Sequence, residues 1–174
     1  MGSHSNRRAC VELPAGLHLE TGEAGRAIGV RLAEGIQDDD VVEACAGRYG
    51  LGRRCLGRRF LLRPDDSLNN AFVYCLALAA EKHGVAVHAL CAMSNHYHLI
   101  LTDTEGVLPD FMAWFNRQLA MCVKRLRRWD EVVWEPNVAY NAVELTGASE
   151  VLDKVAYVIL NPVSAALVRS PERW

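Results

Sequence analysis

Two histidines separated by one residue, His96-Tyr97-His98, open a β-rich stretch that runs to Thr102. In a strand, side chains two apart point to the same face. His96, His98 and Ile100 therefore share one face, and Tyr97, Leu99 and Leu101 share the other. The second set is apolar and belongs against a core. The two imidazoles are left side by side on the open face, where a metal ion or a phosphate could reach them. On spacing alone, an H-x-H pair is equally a pair of hydrogen-bonded surface histidines. A second segment bears on that choice. On a helical wheel of Glu150 to Asn161, Val151, Leu152, Val155, Val158 and Ile159 form an apolar stripe. Glu150, Lys154, Tyr157 and Asn161 fall three or four apart on the polar face. A tyrosine and an asparagine one turn apart then project together from a helix anchored by its apolar side. Taken alone, they read first as a tyrosine at the edge of a core and an asparagine that ends a helix before Pro162.

The elements that must position these residues follow from periodicity and breakers. Arg59 to Arg63 (RFLLR) is a short apolar run closed by Pro64 and reads as a strand. Ser67 can cap the next helix, which carries Leu68, Phe72, Leu76 and Ala79/Ala80 on one face and stops near Gly84. Val85 to Met93 is β-rich, Ser94-Asn95 makes a turn, and His96 to Thr102 completes a hairpin. Gly106 and Pro109 start a long helix to about Arg128, with the apolar stripe Leu108, Phe111/Met112, Phe115, Leu119, Cys122/Val123 and Leu126. Residues 138–145 read as another strand. Ser149 caps a last helix that ends before Pro162. The order β-α-β-β-α-β followed by a helix is the split βαβ, ferredoxin-like α+β arrangement, with one antiparallel sheet and helices on one face. The other face is open or covered only by the last helix.

Residues 1–52 read as an N-terminal extension and residues 53–174 as the catalytic domain. Met1 to Ser5 resembles an expression-tag remnant, so His4 is set aside. Residues 6–25 show little periodicity, and a short amphipathic helix is expected from Asp39 to Arg48, before Gly50 and Gly52. The 174 residues carry a formal net charge of −2, which neither requires nor excludes a nucleic-acid partner, because local clustering matters more than the total. Arg53, Arg54, Arg58, Arg59 and Arg63 form one basic cluster, and Lys124, Arg125, Arg127 and Arg128 a second. Both could track a DNA backbone, though cations at a helix C-terminus are also favourable in their own right. Trp114, Trp129 and Trp134 could stack on bases, but core packing is the default for tryptophan. None of the six cysteines forms a C-x-x-C pair, and reduced, mostly buried thiols are expected. No apolar run approaches the ~18–20 residues that span a bilayer, and the N-terminus lacks a signal-peptide core. No membrane association and a cytoplasmic location are expected.

Met93-Ser94-Asn95-His96-Tyr97-His98-Leu99-Ile100-Leu101 resembles the M-P-N-H-x-H-L-L-L signature of the REP-associated tyrosine transposases, which are insertion-sequence-type, single-tyrosine HUH transposases. Tyr157-Val158-Ile159-Leu160-Asn161-Pro162-Val163, running into Ala165-Ala166-Leu167-Val168, is similar to their Y-I-x-x-N-P-V-x-A-G-L-V block. The resemblance covers roughly residues 57 to 174. Ser94 replaces the usual proline, and Ala166 stands where the family usually has glycine. The family's G-H-x-x-Q-G-R-[FY] stretch is reduced to Val132-Val133-Trp134-Glu135-Pro136.

The resemblance implies a DNA nicking and strand-transfer enzyme. Tyr157 would attack a phosphodiester of single-stranded or hairpin DNA, leaving a 5′-phosphotyrosine and a free 3′-hydroxyl. His96, His98 and the side-chain carbonyl of Asn161 would hold a divalent ion, magnesium or manganese in this family, although two imidazoles and an amide ordinarily suit later transition metals. Lys154 could contact a phosphate or be a solvated lysine; Arg58, Arg59, Arg125, Arg127 and Arg128 would contribute DNA contacts. Relatives include monomers and swapped dimers, so a homodimer is one expected form. Three other readings compete, the weakest a purely structural ferredoxin-like domain, which leaves the polar face of the last helix unexplained. One is a domesticated relative that binds structured single-stranded DNA or RNA without transposition. Another is a small zinc hydrolase, which lacks an evident Asp or Glu ligand near the H-x-H.

Overall fold

The computed structural model describes residues 47–174. Its elements run β1 (Arg48–Arg54), α1 (Asp66–His83), β2 (Ala86–Ala92), β3 (His96–Thr102), α2 (Leu108–Arg127), β4 (Asn141–Glu144) and α3 (Ala148–Ser164). The four strands form one sheet in the order β2-β3-β1-β4, with every neighbouring pair antiparallel. This is the expected ferredoxin-like arrangement with an added C-terminal helix.

The first strand is not where the sequence pattern put it. Arg59 to Arg63 is loop and turn, and β1 lies earlier, across the boundary drawn at residue 52. Of the apolar run only Leu61 and Leu62 enter the core, while Phe60 is 69% exposed, so no two-residue alternation survives there. Gly50 and Gly52, taken as helix stops, sit inside β1 instead. The helix expected over 39–48 lies outside the described residues except for its last two positions, of which Arg48 begins β1.

Helix ends were also shifted. Asp65 rather than Ser67 caps α1, its carboxylate accepting the Leu68 N–H at 2.9 Å. Gly147 rather than Ser149 precedes α3, and that helix continues through Pro162 to Ser164. It closes in a Schellman motif: Leu167 N–H donates to the Pro162 carbonyl at 3.0 Å and Ala166 N–H to that of Val163 at 2.9 Å. Ala166 adopts the left-handed conformation this motif requires, with φ +56. That is the position where the resembling family usually has glycine, and glycine takes this conformation without a Cβ penalty.

One face of the sheet packs on α1 and α2. Tyr97, Leu99 and Leu101 join Leu68, Phe72, Phe111, Phe115 and Leu119 in the main core. Tyr97 is fully buried and lies edge-on to Phe72, Phe115 and Trp134, with ring centroids 5.5, 5.6 and 5.8 Å away. Its hydroxyl donates to Asn116 Oδ1 at 2.7 Å, and Asn116 is itself anchored through Nδ2 to the Met112 carbonyl. Among the described residues the opposite face meets α3 and the C-terminal Trp174, through a smaller cluster of Ala89, Cys91, Met93, Ile100, Leu145 and Val158; Trp174 packs against it and donates Nε1–H to the Ala92 carbonyl at 3.2 Å. Trp134 belongs to the main core, and Trp114 and Trp129 pack against it. Cys55, Cys75 and Cys91 are buried free thiols and Cys122 is a partly buried one; burial raises the first three to about 12. Among the described residues no helix is long and apolar enough to cross a membrane.

Candidate active site

The strand register decides which residues meet. Directly paired residues on neighbouring antiparallel strands point to the same face. His96 lies opposite Arg54, His98 opposite Gly52 and Ile100 opposite Gly50, and Gly52 in turn lies opposite Asn141. All of these project toward α3. The two histidine rings are 4.9 Å apart, centroid to centroid, at an interplanar angle of 84°. The Tyr157 ring comes from α3 to within 5.3 Å of the His98 ring, edge to face, and is half exposed. Lys154, one turn earlier, places Nζ 5.0 Å from the centre of the Tyr157 ring. This approach is made within one chain.

The glycines make it possible. A Cβ on Gly50 would come within 2.7 Å of Lys154 Cε, and one on Gly52 within 3.1 Å of His98 Nδ1. A side chain at Gly50 would push the Lys154 side chain aside, and one at Gly52 would press on the His98 ring, so the two glycines let α3 and the imidazole lie close to the strand.

His96 Nδ1 lies 2.6 Å from Asn95 Oδ1. His98 Nε2 is buried with no hydrogen-bond partner, and the Leu51 backbone opposes loss of the ring's proton. A buried nitrogen with nothing to donate to leaves the hydrogen of the neutral His98 ring to Nδ1. In each ring this leaves the Nε2 lone pair available, the usual arrangement of a metal-binding histidine. Desolvation, then the charges of His96 and Lys154, depress His98 to about 4 against the opposing pull of the Leu51 bond. Desolvation, followed by Arg54 and Arg58, lowers His96 as well. Both rings are neutral at neutral pH and can act as ligands.

The pocket over this face is also lined by Arg54, Arg58, Glu135, Tyr140, Asn141, Lys154 and Tyr157. With Arg53, four cations against one carboxylate make it a place for an anion. Of the residues singled out from sequence, it gathers His96, His98, Tyr157 and Lys154, with Arg53, Arg54 and Arg58 of the first basic cluster. Asn161 is half-buried one turn beyond Tyr157 and is not among the lining residues, whereas Asn141 is. Arg59 lies over the Trp129 ring at 4.9 Å. Arg127 holds the fold together, donating to the carbonyls of Leu61 and Arg63 and pairing with Asp65. Arg125 and Arg128 are exposed at the end of α2 and do not line the pocket. Asn95, Glu135 and Asn141 were given no part in the site, because their place depends on the turn before β3 and on strand pairing. The one sequence signal for them was the G-x-G of Gly50 and Gly52, which marks a close approach when it falls in a strand.

Among the described residues no group of three His, Cys, Asp or Glu side chains could hold a metal ion. The donor set fits a divalent ion on two imidazoles with an amide or solvent completing it, and does not fit a closed structural zinc site.

No protein-family model matches the sequence, and no curated protein matches it. Among solved structures, the chain is similar to a REP-associated tyrosine transposase bound to a REP hairpin. The TM-score is 0.56 at 19% identity, over 74% of this chain and 73% of that one. This chain has that fold. A candidate transposase from Deinococcus radiodurans R1 aligns over 62% of this chain and 85% of its own, with a TM-score of 0.47 and 20% identity.

Proposed function

We propose that this chain is a metal-dependent, single-tyrosine HUH endonuclease of the REP-associated transposase kind, acting on single-stranded or hairpin DNA. The observation that carries the reading is the meeting of Tyr157 with His98 and His96, both rings offering a free Nε2, in a pocket ringed by Arg54, Arg58 and Lys154. The fold shared with a transposase that binds a REP hairpin supports it.

In this reading Tyr157 Oη attacks the scissile phosphorus. The Oη–P bond forms as the P–O3′ bond breaks, giving a 5′-phosphotyrosine and a free 3′-hydroxyl. The phenolic proton is lost to solvent, and the departing 3′ oxygen takes one up. Lys154, with Nζ 5.0 Å from the centre of the Tyr157 ring, is a cation beside the nucleophile and the incoming phosphate. Arg54 and Arg58 hold phosphate oxygens. His96 and His98, with an amide from Asn161 or Asn141, would hold Mg²⁺ or Mn²⁺, which polarises a phosphate oxygen and stabilises developing charge. A half-open pocket on a sheet suits a flexible strand better than a rigid duplex.

The test is incubation with labelled single-stranded hairpin DNA and Mn²⁺, read on a denaturing gel. A covalent protein–DNA adduct that disappears with chelator, and in the His96→Ala/His98→Ala protein, is expected. Tight hairpin binding with no adduct would instead establish a binding protein that has lost the chemistry. Equal cleavage of plain duplex would contradict the proposal.

A further inference from the structure

The turn before β3 carries Asn95, whose side chain is used at both ends. Nδ2 donates to the backbone carbonyl of Arg58 at 3.2 Å, and Oδ1 lies 2.6 Å from His96 Nδ1. A carbonyl can only accept, so the amide nitrogen must face Arg58 and the amide oxygen must face the ring. An amide oxygen can only accept, so the hydrogen on His96 is on Nδ1 and the lone pair is on Nε2.

The other partner of Asn95 is a strained turn. Gly57 and Arg58 are successive left-handed residues, with φ +53 and +56. A non-glycine residue there is unfavourable and persists only where its surroundings hold it. Two side chains grip this turn: Glu135 accepts the Gly57 N–H at 3.2 Å, and Asn95 holds the Arg58 carbonyl. The turn places Arg58 in the pocket with His96 and Tyr157. Asn95 cannot drift, because its own carbonyl accepts from Cys55 N–H at 2.8 Å and that of Ser94 from Leu62 N–H at 2.9 Å.

We infer that Asn95 is a positioning residue that couples two parts of the site: it fixes His96 with Nε2 toward a divalent cation, and it holds the strained turn that presents Arg58 to a phosphate of the nucleic acid. The inference rests on the function proposed above, but one of its readouts does not.

The experiment compares wild type, Asn95→Ala, Asn95→Asp, Arg58→Ala and the Asn95→Ala/Arg58→Ala double variant. In metal-free protein, ¹⁵N NMR reads the His96 tautomer; electron paramagnetic resonance reads Mn²⁺ affinity; anisotropy in chelator reads affinity for an unstructured oligonucleotide. Asn95→Ala is expected to release His96 toward the Nε2–H form and to weaken Mn²⁺ binding about tenfold, the usual scale for losing such an outer partner. Asn95→Asp keeps an acceptor for Nδ1–H and should restore both. Oligonucleotide affinity should fall in Asn95→Ala but show no further loss when Asn95→Ala is added to Arg58→Ala. An unchanged His96 tautomer in Asn95→Ala, or a failure of Asn95→Asp to rescue Mn²⁺ binding, would overturn the first half. Additive losses in the double variant would overturn the second. A wild-type protein that binds neither Mn²⁺ nor oligonucleotide would defeat the function proposed above, and the coupling with it, while the tautomer readout would still decide whether Asn95 sets His96.

Discussion

The two faces of the sheet are built to different standards. Toward α1 and α2, Tyr97, Leu99 and Leu101 are fully excluded from solvent among edge-packed aromatic rings, and the one buried hydroxyl has its partner. Toward α3, the same strand presents His96 and His98 to a pocket, and the apolar contact shrinks to a smaller cluster around Ile100 and Val158. Leu152, Leu160 and Tyr157 on α3 remain substantially exposed. Alternation along one strand thus separates stability from chemistry: the first face fixes the backbone, and the second carries polar groups that a tight core would have had to neutralise or exclude.

That comparison can be broken most severely from the packed side. Phe115→Ala removes a ring that touches Phe72, Tyr97 and Phe111, and should cost about 3–5 kcal/mol in urea unfolding. A cost near zero would mean the aromatic face is not the foundation of the fold.

The next largest effect concerns pH and arises on the open face. His98 is held at about 4, below its unfolded value near 6.5. The unfolded chain therefore binds the proton first, so stability supplied above pH ~6.5 is lost as the pH falls toward 4. In metal-free protein this loss should reach roughly 3 kcal/mol. His98→Gln should flatten the slope across that window; an unchanged slope would show that the burial of His98 does not depress it.

Val158→Ala strips the fully buried contact of α3 with the second cluster. It should cost about 2 kcal/mol, less than the ring on the other face. Proteolysis near α3 should rise before global unfolding; a loss matching that of Phe115→Ala would erase the distinction between the faces. Smallest is Ala166→Gly, which relieves a left-handed alanine in the cap of α3 and should stabilise by about 0.5–1 kcal/mol, measured as a rise in Tm.

What the sequence made legible follows the same division. The alternation of β3, the stripe of the long helix and the order of elements were readable because a buried face writes its period into the chain. β1 was not, since Gly50 and Gly52 carry no apolar signal and glycine normally argues against a strand. Their purpose appears only when Lys154 and His98 approach them. RFLLR misled for the converse reason: an apolar run need not be a strand when half of it faces solvent. The H-x-H pair and Tyr157 were legible as candidates, but the tethers that orient the rings, Asn95 and the Leu51 backbone, came from a turn and a neighbouring strand that no periodicity predicts.

The central claim is that the chemistry belongs to the thin face and to one phenol on it. It is tested most directly by digesting the protein after reaction with single-stranded hairpin DNA and Mn²⁺, and locating the attached nucleotide by peptide mass spectrometry. The account predicts a phosphodiester-linked nucleotide on Tyr157 and no adduct in Tyr157→Phe, which keeps the ring beside His98. Attachment to Tyr140, which also lines the pocket, or an undiminished adduct in Tyr157→Phe, would contradict it.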